Sequence, residues 1–339
     1  MNIGEIARRA KVSRSTVSYA LSGKRPVSEA TRLRIQQVID EIGYQPNASA
    51  RALARGETRA LGLVFPPAST HYTEMQLEFL GGVVEAAAVR DYDILMSRTG
   101  AGEDRSFQRL VGERRVDGVI LMEIRLQDPR VERMRETAFP FVTIGRVADP
   151  EGTAWVDLDH QGLIRHCVQH LAELGHERIV FVNRSEGLIR LGYESARRGQ
   201  DGFDLAVEEF GLTGTSYSCG DDAASGEACV QRILSDDPGT TGIVTMNEAA
   251  LGGIYRGLAH AGRKVPHDMS ISGIAGSRWA EAVTPALTAA DVPAHEMGRI
   301  AIDLLLERIS DPSAAPRHQL LTPPISLRAS TAPAARRTV

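Results

Sequence analysis

Arg14, Ser15 and Tyr19 fall within RSTVSYALSG, among the hydroxyls of Ser13, Thr16, Ser18 and Ser22. A guanidinium pairs in two places with the edge of a guanine, and short hydroxyls suit phosphate oxygens, so this set is equipped to grip and read a nucleic acid. The same hydroxyls also suit helix capping. Asn47, Arg51 and Leu53 lie further on, in NASARALARG. A leucine flanked by Arg51 and Arg55 has the make-up of a minor-groove wedge, in which an apolar side chain unstacks a base step while cations hold the backbone. An ordinary solvated linker has the same composition. A third set stands just past apolar, strand-like runs: Ser69, His71, Tyr72, Glu123, Arg146, Asn183, Arg198, Asn247 and Trp279. Such side chains hold small ligands at the mouth of a parallel sheet, and they also brace loops.

Catalytic chemistry finds no comparable footing. A P-loop, a Gly-x-Ser-x-Gly elbow, a paired-histidine metal site and a dinucleotide fingerprint are all missing. His71, His160, His166 and His170 invite a metal reading, but His166 and His170 lie at i, i+4 in a plainly amphipathic stretch and read as structural. No catalytic residue, metal or cofactor is assigned, and the chain is not read as an enzyme. Cys167, Cys219 and Cys229 are odd in number and far apart, and they read as reduced structural residues.

The first set needs a rigid platform. Asn2 and Glu5 have the form of a capping box, and Ile3, Ile6, Ala7 and Ala10 follow at helical spacing. Ser13 caps a second helix, with Val17, Ala20 and Leu21 inward and Arg14, Ser15, Ser18 and Tyr19 outward, ending at Gly23. A third runs from Ser28 to Gly43 with Leu33, Ile35, Val38, Ile39 and Ile42 toward the core. This is a helix-turn-helix headpiece whose second helix can enter a major groove. Pro46 breaks the chain, and the short helix that Asn47 caps is too brief to stand alone, so it is expected to fold on binding.

Charge agrees with this division. The 339 residues carry a net charge of -4, yet residues 1–59 carry +6 and the remainder -10. A basic end on an acidic body fits a phosphate-binding module joined to a solvated sensor. The chain opens on a polar helical segment rather than a signal sequence and has no apolar run of membrane-spanning length, so a cytoplasmic protein without membrane contact is expected. A solute-binding protein would need a signal peptide and would have no use for residues 1–59. A purely architectural DNA protein would have no use for a large acidic body.

The runs IGEIARRAKVSRSTVSYALSG and VSEATRLRIQQVIDEIGYQPNASARALARG resemble the headpiece and hinge of the lactose/galactose repressor (LacI/GalR) family, in order and without a gap. WVDLDHQGLIRHCVQHLAELGHERIVFVN, GIVTMNEAALGGIYRGLAHAGRKVPHDMSISGI and PALTAADVPAHEMGRIAIDLLLERI continue the resemblance through the body. It implies that Arg14, Ser15 and Tyr19 read bases, that Ser22 and Thr31 help hold phosphates, and that Leu53 of paired hinge helices wedges open an operator. It further implies a homodimer on a near-palindromic site of double-stranded DNA, with a small-molecule effector, a sugar or sugar derivative.

Independently of the resemblance, LGLVF, DILMS, DGVILM and PFVTIG, then RIVFVN, GIVTM and MSISGI, alternate with helical patterns, which describes two successive parallel α/β units with a ligand crevice between them. The expected fold is therefore an all-α helix-turn-helix headpiece (1–45), a hinge (46–58) and a two-lobed body (59–339) similar to periplasmic sugar-binding proteins. Its N-lobe takes about 60–160 and 291–321, and its C-lobe about 161–290 and 322–332. Asn247 matches an asparagine that bonds ligand hydroxyls in such relatives, and Trp279 has the shape to stack on a sugar. Two departures stand out. Ala275 and Gly276 occupy the place of a frequent carboxylate, and Gly199 that of a frequent arginine, with Arg197 and Arg198 beside it. The tail STAPAARRT lacks a heptad pattern, which favours a dimer over a zippered tetramer.

Overall fold

The computed structural model describes residues 3–22, 25–43, 57–65, 73–98 and 105–334; Asn47, Arg51, Leu53, Ser69, His71 and Tyr72 lie outside them, as does the side chain of Ser22. The headpiece is three helices, α1 (Ile3–Arg9), α2 (Arg14–Ser22) and α3 (Glu29–Ile42). Ile6, Ala7, Ala10, Val17, Ile35, Val38 and Ile39 close its core. Ser13 Oγ accepts the Thr16 N–H at 3.0 Å, which caps α2, and Gly43 ends α3 in the left-handed region at φ 59°. Leu33 departs from its expected inward position and is 61% exposed. The buried stripe of α3 runs through Ile35, Val38, Ile39 and Ile42, and two residues before Ile35 is a rotation of about 200°, the far side of the helix.

The body holds two six-stranded sheets. The first has the order β11-β5-β4-β3-β1-β2, parallel throughout, from β1 (Ala60–Phe65), β2 (Asp93–Arg98), β3 (Gly118–Leu121), β4 (Phe141–Ile144), β5 (Ala154–Leu158) and β11 (His318–Leu321). The second has the order β12-β10-β9-β8-β6-β7, from β6 (Arg178–Asn183), β7 (Thr213–Ser218), β8 (Gly242–Thr245), β9 (Ser270–Ala275), β10 (Thr288–Asp291) and β12 (Ile325–Ser326). Only β12 pairs antiparallel there.

Helices cover both faces of each sheet, which is why strands such as ALGLVF are apolar on every residue. In the N-lobe, α4 (Glu74–Ala88) and α13 (Ala294–Ser310) pack Val83, Ala87, Ala301 and Leu304 against Leu61 and Ile120. On the other face, α5 (Arg105–Gly112) and α6 (Pro129–Thr137) set Leu110, Val131 and Met134 against Val64 and Val119. In the C-lobe, α7 (His160–Glu173) and α9 (Glu194–Glu209) cover Ile179 and Phe181, whereas α10 (Ala223–Asp236) and α11 (Leu251–His260) cover Val180 and Val182. The chain passes between lobes at 158–160, 291–294 and 321–325. Where α4 and α13 cross, a Cβ on Gly82 would stand 2.0 Å from the His295 carbonyl oxygen, so the two backbones touch directly and glycine is required. No helix among the described residues is long and apolar enough to cross a membrane.

Candidate functional site in the headpiece and the interlobe cleft

The N-terminal turn of α2 gathers hydroxyls: Ser13 Oγ lies 2.7 Å from Ser15 Oγ and 2.8 Å from Thr16 Oγ1. Ser13, Arg14 and Ser15 are exposed, and Thr16, Ser18 and Tyr19 are half-buried. The Arg14 guanidinium folds back over α1, where a Cβ on Gly4 would meet it at 2.7 Å, so Gly4 leaves the room that Arg14 occupies. Arg25 lies over the Tyr19 ring at 5.2 Å, and Thr31 Oγ1 accepts the Ser28 hydroxyl at 2.8 Å. Exposed hydroxyls and an arginine at the positive end of a helix form an anion-gripping surface.

In the body, the carboxyl ends of β3, β4, β6, β8 and β9 face one another across a cavity of about 110 Å³ between the lobes. Phe79, Met122, Ile144, Met246, Ile274 and Met297 supply apolar walls. Polar lining comes from Gln76, Glu123, Asp157 and His160, and from Arg184, Glu194, Asp221, Asn247 and Glu248. Glu123 and Asn247 thus line the cavity, as their places past β3 and β8 anticipate. Glu123 takes the Gln76 amide at 2.9 Å, at a residue held at φ 52°. Asn247 is committed to its own loop: Nδ2 donates to the Cys219 and Gly220 carbonyls at 3.0 and 3.2 Å, and Oδ1 accepts the Ala250 N–H.

Arg146, Asn183, Arg198 and Trp279 do not line the cavity. Asn183 braces the end of β6, donating to the Ala196 carbonyl at 3.0 Å and accepting the Arg184 N–H at 2.7 Å. Trp279 packs against the apolar cluster under α10 and α11. Arg146 and Arg198 stand one layer behind, as counter-ions to acids that do line it. Arg146 Nε lies 2.9 Å from Asp157 Oδ2, while Arg198 Nη1 lies 2.8 Å from Glu194 Oε2 and 3.8 Å from Asp157. Arg198 also donates to the Arg146 and Val147 carbonyls at 2.9 and 3.3 Å, tying C-lobe to N-lobe. Beside it, Leu126 N–H donates to the Gly192 carbonyl at 2.8 Å and Glu194 N–H to that of Ile124 at 2.9 Å, a backbone clasp along one rim.

Sequence reading passed over Asp157, Arg184, Glu194, Asp221 and Glu248, and gave His160 only a structural role. Asp157 is 1% exposed, and burial outweighs Arg198 and Arg146 to push its carboxyl up to about 6. Glu194 is pushed up too, by burial and by Asp157. Burial and the surrounding arginines drive the His160 imidazole down to about 3, so it is neutral. Its Nδ1 stands 4.0 Å from Asp157 Oδ1 and 3.9 Å from Glu194 Oε2 and has no hydrogen-bond partner among the described residues. Asp157, His160 and Glu194 bring ligand atoms within 4.8 Å of one another, a spacing that would fit a metal ion. Two guanidiniums already face those carboxylates and would repel a cation, so the set suits a hydrogen-bonding oxygen better.

Glu248 is 7% exposed. Its Oε2 accepts the Gly276 N–H at 3.4 Å, its Oε1 has no partner among the described residues, and burial pushes the carboxyl up to about 7. A carboxyl therefore does stand beside the end of β9, reaching across from the loop after β8 to Gly276, where the sequence has none of its own. Both Arg184 and Glu248 directly follow a residue singled out from sequence, Asn183 and Asn247, and reading one position further past each strand would have reached them.

Comparison with known proteins agrees with both halves of this arrangement. Residues 2–47 match the description "Bacterial regulatory proteins, lacI family", and residues 168–331 match "Periplasmic binding protein-like domain". Catabolite control protein A of Priestia megaterium is 30% identical over 311 residues, spanning 90% of this chain and 91% of its own. A solved complex of the transcriptional regulator CelR with cellobiose is similar at a TM-score of 0.71 and 26% identity, covering 97% of this chain and 99% of its own. The lac repressor dimer bound to operator and the anti-inducer ONPF shares the fold at a TM-score of 0.84 and 21% identity, covering 98% and 99%. A reading helix on a three-helix platform, joined to a two-lobed sensor and matched over nearly its whole length, makes this chain a DNA-binding transcription regulator of the lacI family.

Proposed function

We propose that the protein is a repressor that clamps a near-palindromic operator as a homodimer, and that a sugar or sugar derivative bound between the lobes switches it. The observation that carries the effector reading is a pair of buried polar atoms without hydrogen-bond partners among the described residues: His160 Nδ1 and Glu248 Oε1. Buried polar groups of this kind are costly unless hydrogen-bonded, and hydroxyl groups, which both donate and accept, satisfy acids and imidazole alike. The charge balance points the same way. Arg184 pairs with Asp221 at 3.2 Å, and Arg146 and Arg198 are taken by Asp157 and Glu194, whereas Glu123 has no cationic partner within ion-pair distance among the described residues. An anionic ligand would meet surplus carboxylate; a neutral polyhydroxylated one would meet acceptors above an apolar wall fit for its C–H face. The CelR–cellobiose complex supports a carbohydrate.

On the DNA side, Arg14, Ser15 and Tyr19 read base edges, and Ser13, Thr16, Ser18, Ser22 and Thr31 fix register on phosphates. Asn47, Arg51 and Leu53 form paired hinge helices whose leucines wedge the operator centre. Effector closure of the lobes changes the stability of those hinges, a coupling of the order of 1 to 3 kcal/mol. Selection of duplexes from a random pool by the full-length protein, repeated with cellobiose, ribose and other sugars, tests this. The expected result is a near-palindromic consensus whose affinity shifts with one sugar. Enrichment of an asymmetric site or of none would overturn the operator reading, and a consensus indifferent to sugars but sensitive to an anionic metabolite would overturn the effector reading.

A further inference from the structure

Cys219 follows β7 directly, and Cys229 lies in the second turn of α10; each is 3% exposed, and both belong to one apolar cluster with Tyr217 and Val230. Arg232 Nη2, which lies beside Cys229 Sγ, also donates to the Ser218 carbonyl at 2.8 Å, so Cys229 stands against the end of β7 from which Cys219 follows, and each thiol is the strongest influence on the other. Arg232, exposed and one helical turn beyond Cys229, brings Nη2 to 4.0 Å from Cys229 Sγ and lies over the Tyr217 ring at 5.2 Å, so it stands between the pair and solvent. The two thiols differ in character. Cys219 and the nearby guanidinium lower the Cys229 thiol, whereas Cys229, burial and neighbouring acids raise that of Cys219. A thiol lowered by an arginine is the more reactive of a pair.

The Cys219 main chain belongs to the cleft wall. Its carbonyl takes the Asn247 amide at 3.0 Å, and two residues on, Asp221 pairs with Arg184 at the cavity. We propose that Cys219 and Cys229 form a reversible disulfide that makes this wall of the cleft responsive to peroxide. The Cys229 thiolate attacks one oxygen of hydrogen peroxide, the O–O bond breaks, and Cys229 sulfenic acid and hydroxide result. Cys219 sulfur then displaces the sulfenyl oxygen, forming the S–S bond and releasing water as its proton is taken up. Two thiols and one peroxide thus become one disulfide and two waters, the sulfurs oxidised and the peroxide reduced. A disulfide holds its two Cβ atoms at about 3.8 Å, so it fixes Cys219, whose carbonyl takes the Asn247 amide, against α10.

Peroxide treatment of the full-length protein, alkylation of remaining thiols after denaturation and peptide mass mapping test this without any ligand. The expected outcome is a Cys219–Cys229 cross-linked peptide, released by dithiothreitol, with Cys167 still alkylated. Amide exchange should change in 219–222 and 247–250 of the oxidised protein, and Cys229→Ser should leave Cys219 alkylatable with exchange unmoved by peroxide. Retention of both thiols, or oxidation of each to sulfinic acid without a cross-link, would overturn the proposal. A cross-link that leaves exchange around Asn247 unchanged would overturn its connection to the cleft.

Discussion

Glu248 sits beside the Gly276 N–H and is faced by Arg184 and Glu78, with burial outweighing all of them. Its carboxyl holds a proton up to about pH 7 in the folded protein, against an ordinary value of 4.5. The folded state therefore binds more protons than the unfolded chain between those values. Its contribution to stability is complete below about pH 4.5 and is lost as pH rises through 7, about 3 kcal/mol in all. Glu248→Gln keeps the neutral shape at every pH. Denaturant unfolding should give the variant about wild-type stability at pH 5 and greater stability at pH 8; equal losses at both would mean that the carboxylate works as an ion. At this scale the sequence was only partly legible. Strand ends told where Glu123 and Asn247 would be, because a parallel sheet delivers its loops to one edge. It did not tell that Arg146 and Arg198 would turn to Asp157 and Glu194, since that choice depends on acids distant in the chain.

The second helix of the headpiece depends on one hydroxyl. Ser13 Oγ satisfies the Thr16 N–H and touches Ser15 and Thr16, so Ser13→Ala removes the cap and should cost about 1 kcal/mol of headpiece stability. Thermal unfolding followed by circular dichroism, compared with Ser13→Asp, measures it; the Asp variant, which can also cap, should recover most of the loss, and equal losses would place the role of Ser13 elsewhere. The headpiece helices were readable because caps and apolar stripes are local. Leu33 misled because a leucine near an apolar stripe reads as part of it, although its angle about the axis excludes it. Among strands, the apolar runs announced β1, β3, β4, β6, β8 and β9, since burial on two faces leaves little room for polar residues. The edge strand β7, TGTSYS, has one buried residue and forms because β6 offers it a ladder, which local sequence does not record.

For the whole molecule, α4 leaves Leu77, Gly81 and Val84 exposed at i, i+4 and i+7, and the edge strand β2 adds Met96. An apolar stripe beside an open sheet edge suits a second copy of the chain, in keeping with the proposed homodimer. Leu77→Glu with Val84→Glu should shift sedimentation toward the monomer and weaken binding to the two-half-site duplex far more than to a single half-site. An unchanged sedimentation coefficient would move the interface to another face. Two lobes were legible from the repeated strand–helix series, because each series carries its own apolar runs. The three passages between them also have a consequence for synthesis. When a ribosome has made everything through residue 290, the N-lobe still lacks α13, whose Ile300, Ala301 and Leu304 seal its core, and β11, which pairs the open side of β5. The lobe begun first is thus closed only near the end of translation. Until then the nascent chain exposes an uncovered sheet face and an unpaired strand edge, so a message truncated after codon 290 would yield a chain for chaperones and proteases, never a free-standing sensor.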